Sequence, residues 1–342
     1  MADYDINTKF HMKHISILVP EGHFSLVNIE GSFQIFNWTN EYLESIGQKP
    51  LFDVHLVGKT RESIQTNGLF TINPELLISD VERTDLVIIP AIHGDLQINL
   101  KQNAEFLPWL VEKYEQGAEI VSLCIGSFFL ASTGLLNGKQ CSTHWQFASQ
   151  FRELFPEAIL KDDKILTECE GIYTSGGAYS FTNLMIYLIE KYAGREVAIV
   201  AAKSFMIDID RYSQSPFIMF TGQKAHEDNE ILSAQDYIEK HFHDKLTIED
   251  ICDQVGVGRR TFERRFKKAT ANTVSEYIQR VKVEAAKKEL ESGRKTVFEV
   301  MFDVGYSDVK AFREVFKKIT GLTPVSYKNK YSKERVSYKA GA

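Results

Sequence analysis

The chain has 342 residues, 44% of them hydrophobic and 25% charged, an ordinary soluble composition whose length suits two domains better than one. No apolar run reaches the roughly 18 residues that a membrane-spanning helix needs, and the polar start from Met1 to Lys13 lacks the core of a secretory signal, so a membrane partner is excluded and a cytoplasmic location expected. The net charge of −6 conceals an asymmetry: from Ile231 onward there are 23 Lys and Arg against 16 Asp and Glu, whereas the remainder holds 17 against 30. A basic domain behind an acidic one is the charge pattern of a nucleic-acid binder with a separate partner module, although the same pattern also suits a charged surface with no partner.

The first 210 residues alternate short apolar runs with helical stretches. His14–Pro20, Phe52–Val57, Asp85–Pro90, Glu119–Leu123 and Ile172–Ser175 read as buried strands. Helices are expected near Leu26–Thr39, Ala104–Gln116 and Ser180–Tyr192. Buried strands interleaved with helices predict an α/β domain, a mostly parallel sheet covered on both faces. The stretch 213–229, with Pro216, Gly222 and a polar run, reads as a linker between a domain at 1–212 and another at 230–342. Cys124, Cys141, Cys169 and Cys252 lie far apart with no CxxC pair, which argues against a disulfide framework or zinc site; reduced thiols are expected, and no cofactor or metal.

Beyond the linker strand-like runs nearly vanish, and an all-α domain is predicted. Thr247-Ile-Glu-Asp250 fits a capping box, Ile248, Ile251 and Val255 recur at helical spacing, and Gly256 ends that helix. Another helix starts at Arg259, with Phe262 and Phe266 on one face. The same grammar returns about fifty residues later: a capping box at Thr296–Glu299, apolar Val300 and Val304, Gly305, Ser307 as a cap, then Phe312 and Phe316. Val274–Leu290 reads as one helix joining the two helix–turn–helix units. At about 1.5 Å per residue it spans roughly 25 Å, approaching the ~34 Å between major-groove faces on one side of B-DNA. The apolar faces must pack inward, which leaves Arg259, Arg260, Glu263, Arg264, Lys267 and Lys268 in solvent, with the side-chain types that read guanine or neutralise phosphate.

These residues carry a resemblance. Leu246–Lys267, Val283–Leu290, and Val297–Asp308 with Phe312, Phe316 and Gly321-Leu-Thr-Pro324 resemble the double helix-turn-helix of the AraC/XylS family. That resemblance implies that the second helix of each unit enters the major groove of promoter DNA. It makes Arg260 and Arg264 the base-reading candidates of the first unit and Val309, Lys310 and Arg313 those of the second, with Arg259, Glu263, Lys267 and Lys317 alongside. Contact with RNA polymerase is a further implied partner. The chain departs from the family's Gly-x-x-Pro turn with Thr270-Ala-Asn-Thr-Val274, and Glu314 stands where the family usually has Arg; a carboxylate there repels phosphate or accepts from cytosine.

In the first domain, Ser122-Leu-Cys-Ile-Gly-Ser127 places Cys124 between a strand and a helix N-terminus, as in a nucleophile elbow, although a small buried Cys is the commoner occupant of such a turn. The longer stretch Cys124–Gly138, with Thr143-His-Trp145, Thr174–Ala178 and Arg195–Ala198, resembles the ThiJ/PfpI-like domain, flavodoxin-like and related to class I glutamine amidotransferases. With the C-terminal module, the order resembles the GlxA-like regulators. The enzymes of this superfamily commonly have a His after the Cys and a Glu on an early helix; here those positions hold Ile125 and Val27, with Glu30 near. A retained pocket of Cys124, Ile125, His93, Gly94, His144, Trp145 and Gly177, without catalytic residues, is therefore expected, together with a small-molecule effector and a homodimer. The alternative is a cysteine-dependent amidase, hydratase or glyoxalase-like enzyme fused to a DNA-binding domain.

Overall fold

The computed structural model describes residues 12–64, 69–224 and 226–333, and the chain divides after Gln214 into two compact units. Residues 1–11 of the polar start and the last nine residues of the expected C-terminal domain lie outside the described residues.

In the first unit seven strands form one sheet in the order Leu166–Cys169, Ile172–Ser175, Glu119–Leu123, Leu86–Ile89, Lys13–Val19, Phe52–Gly58 and Leu76–Leu77. All neighbours are parallel except the first pair. Alternate residues of the central strands enter different cores: Ile15, Ile17, Leu86 and Ile88 face one side, Leu18, Val87 and Ile89 the other. Burial on both faces explains why these strands read as continuous apolar runs. One face is covered by helices Leu26–Ser45, Phe181–Ala193 and Arg195–Ser204, the other by Phe106–Glu115, Gly126–Ala131 and Ala148–Leu154. The helix expected at Leu26–Thr39 runs six residues further, to Ser45, because Leu43 continues its buried face. The edge strands Leu166–Cys169 and Leu76–Leu77 were not anticipated; the first contains polar Thr167 and Glu168 and the second has two residues, so neither forms an apolar run.

The second unit is helical. Around the connecting helix Val274–Ser292 lie helices Asn229–His241, Ile248–Val255 and Arg259–Thr270, then Val297–Asp303, Val309–Thr320 and Pro324–Tyr331. Both expected capping boxes form, at Thr247/Asp250 and Thr296/Glu299, and a third opens the connecting helix at Thr273/Glu276. The cap before Val309 is Asp308, which accepts from the Ala311 N–H at 2.6 Å, and not Ser307; Asp308 stands one residue before the helix, where a side-chain oxygen reaches the third amide. Residues 215–222, inside the stretch expected as a linker, are held on this unit: buried Lys287 donates to the Ile218 carbonyl at 2.6 Å and to Glu284 at 2.7 Å, and Glu284 accepts from the Phe220 N–H.

The two helix–turn–helix segments differ where the second helix of each, Arg259–Thr270 and Val309–Thr320, ends. Gly321 turns left-handed at φ 73° and Pro324 opens the next helix; at the matching place Ala271 takes φ 54° and Val274 opens the helix. A Cβ in that region is strained, and Ala271 is exposed, so nothing is gained in return. Ala271→Gly is expected to stabilise the helical unit by about 0.5–1 kcal/mol, read as a higher urea midpoint at unchanged slope.

Candidate functional site

At the C-terminal edge of the sheet the chain turns sharply from strand to helix through Cys124, a non-glycine residue at φ 55°. The turn is held rather than relaxed: the Cys124 N–H donates to the Ser175 carbonyl at 3.0 Å, and the Cys124 carbonyl accepts from the Ser127 hydroxyl at 3.1 Å. Two steps on, a Cβ on Gly126 would come within 2.6 Å of the Pro90 carbonyl oxygen, so the helix start lies directly against the neighbouring strand end. This is the elbow that the sequence led one to expect, and the strain of a side chain at positive φ is maintained by its surroundings.

The other expected pocket residues come from separate elements. His93 and Gly94 follow the Leu86–Ile89 strand, Gly177 follows Ile172–Ser175, and His144 and Trp145 open a short 3-10 turn. Gln214 ties two of these segments together, donating to the Thr143 carbonyl at 3.0 Å and accepting from the Trp145 N–H at 3.2 Å; it packs so closely on Gly176 that a Cβ there would lie 2.4 Å away. His144 tilts against Trp145 at 5.5 Å, and His93 against His23 at 5.1 Å. His23 was not anticipated; it reaches the site through a two-residue pairing, His23–Phe24 with Ile92–His93, too short to leave a sequence signal.

Electrostatics decide what this arrangement can do. Burial pushes the Cys124 thiol up to about 11, and only a backbone interaction at Ile125 opposes it. Burial lowers His144, with a smaller contribution from His93; burial likewise lowers His93, with a smaller contribution from His23. Burial thus disfavours the charged form of each of these groups, and no histidine acts on the Cys124 thiol to lower it. Ile125 is buried and apolar, Val27 is 45% exposed, and Glu30 also faces solvent, so neither early-helix position brings a carboxylate into the buried elbow.

The second constellation lies on the repeated helices. Phe262 and Phe266, and Phe312 and Phe316, are at most 1% exposed. Arg260, Arg264, Lys267 and Lys268 are exposed and make no ion pair among the described residues, and the same holds for Lys310, Arg313, Lys317 and Lys318. Val309 and Glu314 are exposed beside the latter group. Arg259 is different: it pairs with Glu249 and Glu263, so part of its charge is already satisfied. Arg265 is clamped by Asp228 through both carboxylate oxygens, at 2.6 and 2.9 Å, and by Glu230 at 2.7 Å; it fastens the recognition helix to the first helix of the unit.

Comparison with known proteins bears on both constellations. Residues 41–191 match the DJ-1/PfpI family and residues 251–330 match a helix-turn-helix domain. The HTH-type transcriptional regulator GbdR of Pseudomonas aeruginosa is 22% identical over 88% of this chain and 80% of its own length. The bifunctional transcriptional activator/DNA repair enzyme AdaA of Bacillus subtilis is 35% identical over 32% of this chain and 51% of its own. A solved Vibrio parahaemolyticus protein, described as a candidate transcriptional regulator, superposes with a TM-score of 0.51 at 26% identity, over 58% of this chain and all of that one. The chain joins a DJ-1/PfpI domain to an AraC-type helix-turn-helix domain.

Within the AraC-type domain the two recognition helices are offset by fifty residues, and Arg264 and Glu314 occupy the same place in them. The same offset pairs Glu263 with Arg313, so the two positions exchange charge sign, and each helix keeps four exposed cations outside ion pairs among the described residues. Within the DJ-1/PfpI domain the elbow geometry is present while the thiol stays protonated. Alkylation of Cys124, followed by peptide mass spectrometry, should remain slow at neutral pH and increase as pH approaches about 11; a midpoint below the ordinary thiol value of about 8.5 would contradict this account of the site.

Proposed function

We propose that the chain is a sequence-specific, DNA-binding transcription regulator whose DJ-1/PfpI domain binds a small-molecule effector without turning it over. The observation that supports it best is the pair of second helices that bury Phe262/Phe266 and Phe312/Phe316 on one face and carry, on the exposed face, Arg260, Arg264, Lys310 and Arg313 outside ion pairs among the described residues. In this reading Arg260 and Arg264 read bases, Lys310 and Arg313 do so in the second unit with Val309 in apolar contact, and Lys267 and Lys317 meet phosphate. Arg259 and Glu263 orient one another at the helix start. Cys124, Ile125, His93, Gly94, His144, Trp145 and Gly177 line the effector pocket, where the backbone amides after Cys124 favour an anionic group. A homodimer through the DJ-1/PfpI domain doubles the recognition site by tethering a second binding event.

Binding to duplex DNA selected from a genomic pool should weaken steeply with salt. Arg260→Ala and Arg264→Ala should each cost about 1–3 kcal/mol on the selected site and little on random DNA, whereas Lys267→Ala should weaken both alike. Equal losses on both DNAs would reassign the arginines to phosphate. Sedimentation of the full chain at tens of micromolar should give twice the monomer mass, and a monomer there would remove the dimer from the proposal. The enzyme reading is favoured instead if multiple turnovers of an amide, nitrile or α-ketoaldehyde occur and disappear in Cys124→Ser.

A further inference from the structure

At the end of the sheet away from the elbow, the two longest strands start side by side, with His14 in register with Asp53 and Ser16 with His55. Register partners in a parallel pair project to the same face, and alternate residues repeat it, so one patch collects His14, Asp53 and His55. One ligand atom from each of the three lies within 4.8 Å of the others. The imidazole rings stack with centroids 5.0 Å apart and planes 24° from parallel. Each ring is held from behind: His14 Nδ1 lies 3.1 Å from the Thr84 hydroxyl, and His55 Nδ1 lies 2.9 Å from a Glu75 carboxylate oxygen. On its other side His55 Nε2 meets Asp53 Oδ1 at 2.9 Å. Asp85 accepts from the His14 backbone N–H at 2.9 Å and adds further negative charge nearby.

We propose that His14, Asp53 and His55 form a binding site for one divalent transition-metal ion of the zinc class. Two imidazoles and a carboxylate are a zinc, cobalt or nickel donor set, and calcium and magnesium prefer all-oxygen sites. A metal-ligating histidine usually engages its second nitrogen with a carboxylate or another oxygen, the arrangement that Glu75 and Thr84 provide. In the bound form the ion takes the place of the proton between His55 Nε2 and Asp53, and His14 coordinates through Nε2. The side chains of Asp53 and His55 are 50% and 25% exposed, so water completes the coordination. From His14 to Val19 the strand covers about 16 Å, which separates this site from the elbow and makes it independent of the pocket chemistry.

The test is calorimetric titration of the chelator-treated full chain with Zn²⁺, supported by the visible absorption of Co²⁺ at the same site. One ion per chain is expected, with a rise in Tm on saturation. Asp53→Asn and His55→Gln should weaken binding at least tenfold, and Glu75→Gln, acting through His55, about tenfold or more. Cys169→Ser, which removes the most accessible of the four thiols, should leave affinity unchanged. Asp53 is exposed, so its amide variant keeps the test open should His55→Gln misfold by circular dichroism. No saturable binding by the folded wild type, or unchanged affinity in Asp53→Asn, would overturn the proposal.

Discussion

The burial of one helix from two sides governs the DNA-facing half of this molecule. Along Val274–Ser292, Val274, Tyr277 and Val281 enter the core of the first unit, and Val283, Ala286 and Leu290 enter the core of the second. At 3.6 residues per turn these two stripes are roughly 180° apart, so the units pack on opposite sides of a shared axis. A helix buried along both stripes cannot rotate or slide without exposing one core. The separation and phase of the two recognition helices are thus set by ordinary hydrophobic packing, and their polar faces carry little of the stability.

That division leaves the exposed face free for recognition. Arg265 and Arg259 show the limits of reading a charged helix as uniformly available: the former is clamped by Asp228 and Glu230 and the latter shared between Glu249 and Glu263. Arg260 and Arg264 keep their guanidinium groups unspent, and Glu314 weakens the corresponding face of the second helix. Glu263 and Arg313 exchange sign in the opposite sense, so the two helices keep the same number of exposed cations outside ion pairs among the described residues.

Burial acts in the opposite sense at the elbow. The backbone at Cys124 has the left-handed turn that presents a nucleophile, yet the same close packing that holds the turn removes water and denies the thiolate a counter-charge. Ile125 beside it is apolar, and burial lowers the basicity of His93 and His144 as it raises the thiol. Geometry inherited by a fold and reactivity conferred by its neighbours are separable properties.

Periodicity and spacing alone determined the five central strands, three of the four longest helices described in the first unit (Arg195–Ser204 was not anticipated), two capping boxes and the fifty-residue repeat, because each is a local pattern written over several residues. The buried phenylalanine pairs were legible for the same reason, and so was the elbow, from a small-residue turn after an apolar run. Tertiary structure decided the rest. The cap at Asp308 instead of Ser307 turns on where the helix begins, and the His23–His93 contact depends on two residues meeting a distant segment. Which arginines stay free was decided by carboxylates four to thirty-seven residues away. His14, Asp53 and His55 came together only through the register of two parallel strands, since thirty-eight residues separate His14 from Asp53 in the chain and only hydrogen bonding between the strands brings them into contact.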